Sequence, residues 1–168
     1  MTPPVRVLDA FAAGRGADAA TLIFEYMAAT QAEIRGTVPA SVDDLSAALR
    51  EECRNPETVY HAPGVFLVAY RDDAPVGGVG LKPLPGTDAV EVKRLYARPG
   101  HRGGVGRALM EHAHRWAELG GYARLVLDVM AQRRQVVDLY RRLGYTETEA
   151  HSRYPIPMLS MERLVTSA

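Results

Sequence analysis

The sequence predicts a mixed α/β fold: a mostly antiparallel sheet with one central parallel strand pair, flanked by helices. Two observations predict it. Three strand-like segments between residues 66 and 97, separated by tight turns, read as an antiparallel meander. The last of them, Ala89 to Ala97, is followed by a loop, a helical stretch and a further apolar strand, Leu125 to Val129. Strand, loop, helix and strand in that order imply a right-handed crossover between parallel strands.

The elements follow in chain order. Val5 to Leu8 reads as a first strand. Asp18 to about Ile34 is a helix, Ala-rich, with Leu22, Tyr26 and Ala29 spaced for one face and Asp18 as cap or first-turn acid. Gly36-Thr37-Val38-Pro39 breaks it. Ser41 opens a second helix, with Asp44 completing an approximate capping box and Val42, Leu45 and Leu49 on its apolar face. Asn55-Pro56 ends that stretch. Val65 to Tyr70 is a buried strand, Asp72-Asp73-Ala74-Pro75 a turn, and Val76 to Leu81 a glycine-rich return strand. Lys82 to Gly86 turns again into the strand "AVEVKRLYA". Gly106 to about Leu119 is helical, with Val105, Leu109, His112, Trp116 and Leu119 at helical spacing and Gly120-Gly121 as the stop. After Leu125 to Val129, Gln135 to Leu143 forms a helix with Val136, Tyr140 and Leu143 on one face. Strands near Tyr145 and over Met158 to Leu164 complete the chain.

The 168 residues favour a single domain spanning 1–168. A chain of this length needs no disulfide or metal staple. The lone Cys53 excludes an internal disulfide or a thiolate zinc cluster, and fits a reducing, cytoplasmic setting. Met1-Thr2-Pro3-Pro4 does not read as a secretory signal, and no apolar run is long enough to span a bilayer. With 20 basic and 20 acidic residues, the chain lacks the excess positive charge of a general nucleic-acid binder. A local basic cluster does exist: Lys93, Arg94, Arg98, Arg102 and Arg107, with His101 among them.

That cluster coincides with "GHRGGVGR", residues 100–107. Glycines where a strand ends and a helix begins let the backbone approach an anion, and a helix start presents free amides and the positive end of its dipole. Phosphate is the natural ligand. A P-loop is excluded because Gly106 is followed by Arg107-Ala108 rather than Lys-Ser/Thr. A dinucleotide fingerprint is disfavoured because its third glycine would fall on Leu109, and because the loop follows a meander.

The stretch "EVKRLYARPGHRGGVGRALMEHAHRWAELGGYARLVLDV", followed by "VVDLYRRLGY", resembles the GNAT superfamily of N-acetyltransferases. The likeness covers about residues 65–165. It implies acetyl-CoA as co-substrate, its pyrophosphate bound by the backbone of Gly103, Gly104, Val105, Gly106 and Arg107. It implies that Leu95, Tyr96 and Ala97 pair with the pantetheine arm like an added strand, and that Leu125 to Val129 splays away to admit it. The family's basic loop position falls on His101, with Arg102 one place later, so either side chain can fill that role. Where the family often has an asparagine seven residues before the motif tyrosine, this chain has Arg133.

The resemblance further implies direct acetyl transfer to an amine. Such chemistry needs a base for the ammonium, polarisation of the thioester carbonyl and a proton for the leaving thiolate. Glu91 is the candidate base; pairing with a nearby Lys or Arg is its structural alternative. Tyr140 is the candidate acid beside the cofactor sulfur, and also fits a core-facing aromatic. His112 reads as a core histidine, His114 as solvent-facing, Trp116 as core; His61 and His151 lie in loops within reach of a substrate pocket. Arg35, Asp43, Asp44, Arg153 and Tyr154 are polar candidates for the acceptor pocket: the acids suit a cationic amine and the arginines a carboxylate. The expected partner is a small-molecule or peptide amine, with no nucleic acid and no membrane; a homodimer is compatible with proteins of this kind. The rival function is a non-catalytic acyl-CoA sensor of the same fold, which needs neither Glu91 nor Tyr140.

Overall fold

A computed structural model of the chain describes residues 2–101, 103–150 and 153–166. Seven strands form one sheet in the order β1-β2-β3-β4-β5-β7-β6. They are β1 (Val5–Asp9), β2 (Val65–Arg71), β3 (Ala74–Pro83), β4 (Ala89–Ala97), β5 (Arg124–Met130), β6 (Thr146–Thr148) and β7 (Met158–Leu164). Among the described residues, five α-helices flank it: α1 (Gly16–Arg35), α2 (Ala47–Arg54), α3 (Glu57–Tyr60), α4 (Val105–Leu119) and α5 (Arg134–Arg142). Every neighbouring pair is antiparallel except β4 and β5, which are parallel and joined through α4, as the crossover rule requires.

The sheet carries a core on each face, which explains why β2 is apolar without alternation. Val65, Leu67 and Ala69 pack with α4 residues Val105, Leu109, Met110, Ala113 and Ala117. Phe66, Val68 and Tyr70 pack with Ala19, Leu22, Ile23 and Met27 of α1 and with Cys53 and Tyr60. Gly80 of β3 is required here: a Cβ at this position would stand 2.3 Å from the Tyr60 ring. Among the described residues, no helix is long and apolar enough to cross a membrane.

Several expectations need correction. The Ser41–Asp44 capping box is real, but it closes a single 3-10 turn, Val42–Asp44, and α2 begins only at Ala47. On α4 the buried stripe is Val105, Leu109, Met110, Ala113 and Ala117; Leu119 is 83% exposed and His112 only half-buried. Spacings of three and four fit more than one face, and tertiary packing selected a neighbouring one. Both histidines are half-buried. His114 packs on the Tyr145 ring, its Nε2 lying 2.9 Å from the Tyr145 hydroxyl, instead of facing water. On α1, Tyr26 packs against the core and also lines the cleft described below, whereas Ala29 is exposed and faces that cleft. Trp116 is half-buried against the core and stacks on Tyr122 at 5.5 Å.

Candidate active site

The β4–β5 ladder is short. It pairs Ala89 with Arg124, Val90 with Leu125 and Glu91 with Val126, and then the strands part. Beyond Glu91, β4 has no further ladder partner in β5 among the described residues. The β3–β4 register slips by one residue between Gly78 and Gly80, and Arg94 sits at φ +59°. This bulge increases the local twist and turns the end of β4 away from β5.

A buried ion pair holds the bulge. Arg94 donates from Nε and Nη2 to both Glu52 carboxylate oxygens, at 2.8 and 3.1 Å, and the Tyr60 hydroxyl donates to Glu52 at 3.1 Å. Burial alone would push the Glu52 carboxyl up, but the Arg94 hydrogen bonds and charge overcome it and leave it below the usual range. Arg98, at the end of β4, makes a bidentate pair with Glu25 of α1 and donates to the Pro75 carbonyl.

The parted strands open a cleft of about 1000 Å³, walled by β4, β5, α5, the second half of α1 and the start of α4. Gly104, Gly106 and Arg107 line it, while His101 does not. Gly104 is the residue before α4. It has φ +78°, and a Cβ there would meet nothing within 4 Å. Among the described residues no side chain caps the helix, and its first ladder bond is Ala108 N–H to the Gly104 carbonyl. The amides of Val105, Gly106 and Arg107 therefore have no intrahelical acceptor, at the positive end of the helix dipole. Arg71 braces the loop from β2 by donating to the carbonyls of His101 (2.8 Å) and Gly103. The Arg107 guanidinium is paired with Glu111 at 2.8 Å. Arg102 lies outside the described residues.

Leu95, Tyr96 and Ala97 of β4 line the cleft, as do Glu91 and Tyr140. Glu91 stands at the fork, its Oε1 3.6 Å from Lys93 Nζ, so the structural alternative read from sequence is present in a half-buried setting. Tyr140 is 5% exposed. Burial pushes its phenol well above the usual range, the neighbouring Tyr26 and Tyr145 add to this, and Arg133 opposes it. Arg133 spans from the start of α5 to α1, donating to Glu33 (3.1 Å), the Tyr26 hydroxyl (3.1 Å) and Thr30 (2.8 Å); Gln132 adds a 2.8 Å bond to Glu33. Its guanidinium is thus engaged by α1 across the cleft.

Of the acceptor-pocket candidates, Tyr154 lines the cleft, and Arg153 borders a shallower depression beside it. Asp43 is paired with Arg54, Asp44 caps the backbone of Ala40 and Ser41, and neither lines the cleft. Arg35 and His61 also stand outside it, the latter with Nδ1 3.0 Å from the Ala62 carbonyl. His151 lies outside the described residues. Cys53 is buried against Met27, and burial, then the Glu52 charge, pushes its thiol up to about 11. Sequence reasoning missed Asp128 of β5, which lines the cleft while accepting hydrogen bonds from Tyr154 (2.9 Å) and Ser160 (2.5 Å).

Known proteins resemble this chain in sequence or fold. An uncharacterized N-acetyltransferase of Schizosaccharomyces pombe is 36% identical over 121 residues, covering 70% of this chain and 74% of that protein. The fold superposes on a GNAT-family acetyltransferase from Staphylococcus aureus with TM-score 0.75 at 14% identity, over 97% of this chain and all of that one (100%). A PaiA N-acetyltransferase from Thermoplasma acidophilum, solved in complex with coenzyme A, gives TM-score 0.69 at 18% identity over 96% and 99% of the two chains. The profile of the acetyltransferase (GNAT) family matches residues 27–145, from mid-α1 through the parted strands to Tyr145, and the chain belongs to that family.

Proposed function

We propose that the protein is an acetyl-CoA-dependent N-acetyltransferase that transfers acetyl directly to an amine. The observation that carries this reading is that the start of α4, which has no side-chain cap among the described residues, and the part of β4 that has diverged from β5 line the same cleft. One feature suits a pyrophosphate and the other an extended amide-bearing arm. The open space at Gly104, where a Cβ would meet nothing, leaves room for the anion.

Bound acetyl-CoA would supply an activated acetyl group as a thioester. The amides of Gly103, Gly104, Val105, Gly106 and Arg107 would hold its pyrophosphate. The backbone of Leu95, Tyr96 and Ala97 would hold the pantetheine arm, with an amide at Leu95 or Tyr96 polarising the carbonyl. Glu91, at the fork, would accept the proton of the acceptor ammonium. Tyr140 keeps its proton at neutral pH because burial raises it, and would donate toward the leaving sulfur. Direct transfer is favoured over a covalent relay because the Cys53 thiol is buried, outside the cleft lining and poorly ionised.

Calorimetry with acetyl-CoA, CoA, NAD and ATP tests the ligand class: binding of the first two alone is expected. A thiol-release assay across an amine panel tests the reaction. CoA binding without thiol release for any amine would return the sensor reading.

A further inference from the structure

We propose that Asp128 recognises a second positive charge on the acceptor, so that the preferred acceptor is an aliphatic amine with a further cationic nitrogen. This rests on the amine acetyltransferase reading above. Among the described residues three carboxylates line the cleft, and two are ion-paired: Glu33 with Arg133 at 3.0 Å and Glu91 with Lys93 at 3.6 Å. Asp128 has no ion-pair partner among the described residues. Its oxygens accept the neutral hydroxyls of Tyr154 and Ser160, which fix its orientation without an ion pair. A half-buried negative charge held in this way attracts a cation more strongly than a mobile surface carboxylate does.

Its position fits recognition of a group remote from the reacting nitrogen. Val90 and Val92 of β4 and Leu125, Leu127 and Val129 of β5 belong to the core under α4. Glu91 and Asp128 alternate with them and therefore face the α1 side of the sheet. The last paired step is Glu91 with Val126, and Asp128 lies two residues further along the diverging strand. Strand spacing puts their Cα atoms about 8 Å apart before the splay widens the gap. Met130, Ile156, Met158 and Ile34 supply apolar lining suited to methylenes between two nitrogens.

The test is thiol release with chain-matched acceptors: n-butylamine, α,ω-diaminobutane and ω-aminobutanoate, and their hexyl counterparts. They differ only in the charge at the far end. The wild type is expected to favour the diamine over the monoamine by about tenfold to a hundredfold in kcat/KM, chiefly through KM, and to disfavour the amino acid. Asp128→Asn is expected to collapse the diamine-to-monoamine ratio toward unity, with CoA affinity by calorimetry retained as evidence of an intact fold. Equal use of diamine and monoamine by the wild type would overturn the proposal. So would an undiminished diamine preference in a folded Asp128→Asn. If Asp128→Asn fails to fold, the wild-type ratio decides. CoA binding with no acceptor used at all would instead overturn the acetyltransferase reading, and this inference with it.

Discussion

Tyr140 and Glu91 occupy one cleft in different settings. The tyrosine is nearly enclosed; the glutamate stands at the fork beside Lys93. Removing a working acid or base typically costs 10² to 10⁴ in rate, so Glu91→Gln and Tyr140→Phe should each lower kcat by about a hundredfold or more. CoA affinity by calorimetry should change little. Thiol release unchanged in both variants would show the assignment to be wrong. His114 gives a second prediction at this scale. Burial, then the Arg163 charge, lowers its pKa from 6.5 to about 4, against a smaller opposing effect of Glu111. The folded state thus holds it neutral where the unfolded chain would protonate it. Its contribution is fully present above pH 6.5 and is lost as pH falls toward 4. His112 is shifted in the same direction, so the comparison must be between variants. Thermal unfolding of His114→Gln should lose less stability than wild type across that window, and parallel curves would refute the account.

At the scale of elements, the β4 bulge depends on the Arg94–Glu52 pair, and the loop before α4 on a left-handed glycine. Removing one partner of a buried pair leaves an uncompensated charge, at a cost of about 3–5 kcal/mol. Glu52→Ala should therefore be strongly destabilised in denaturant unfolding, and replacing both partners with apolar residues much less so. The Glu52 carboxyl is held below 4.5, so the pair's stabilisation is complete above that pH and declines as pH falls through the lowered folded value. Gly104→Val forces a β-branched residue to φ +78° and fills the open space by the amides. It should cost about 1–2 kcal/mol of stability and more in CoA affinity. Wild-type affinity in this variant would exclude the loop as the anion site. The glycine loop and β4 were legible in the sequence because their chemistry is local: glycines, a strand end and a helix start adjoin in the chain. The bulge was not, because Glu52, the partner that anchors Arg94 there, lies 42 residues away. The same holds for Arg71, which reaches the loop carbonyls from 30 and 32 residues away, and for Asp128, whose hydroxyl partners lie 26 and 32 residues on. The face of α4 failed for a related reason: helical spacing fixes a period, whereas the direction of the stripe is set by the sheet it meets.

Across the whole molecule, the sheet is continuous at β4–β5 through only three paired positions, Ala89 to Glu91 with Arg124 to Val126. Beyond them the two halves are bridged by Arg133 and Gln132 reaching across to Glu33, Thr30 and Tyr26 of α1. A ligand seated in the cleft would bond to both walls and add cross-links where the sheet has none. Such a ligand binds the folded state alone, since the diverging end of β4, the glycine loop and the β5 wall exist together only there. At a hundred times its Kd it should stabilise the fold by about 2.7 kcal/mol, which for a chain of this size raises Tm by about 5–10 °C. Differential scanning calorimetry with CoA is expected to show that rise, with NAD and ATP leaving Tm unchanged. Arg133→Ala releases α1 from the far wall, so the unliganded protein should melt lower. If both walls grip the ligand, the CoA-induced rise should persist in this variant at matched saturation. A rise with NAD or ATP equal to that with CoA would mean that the cleft reads phosphate alone, and the assignment of the β4 edge to the pantetheine arm would fall.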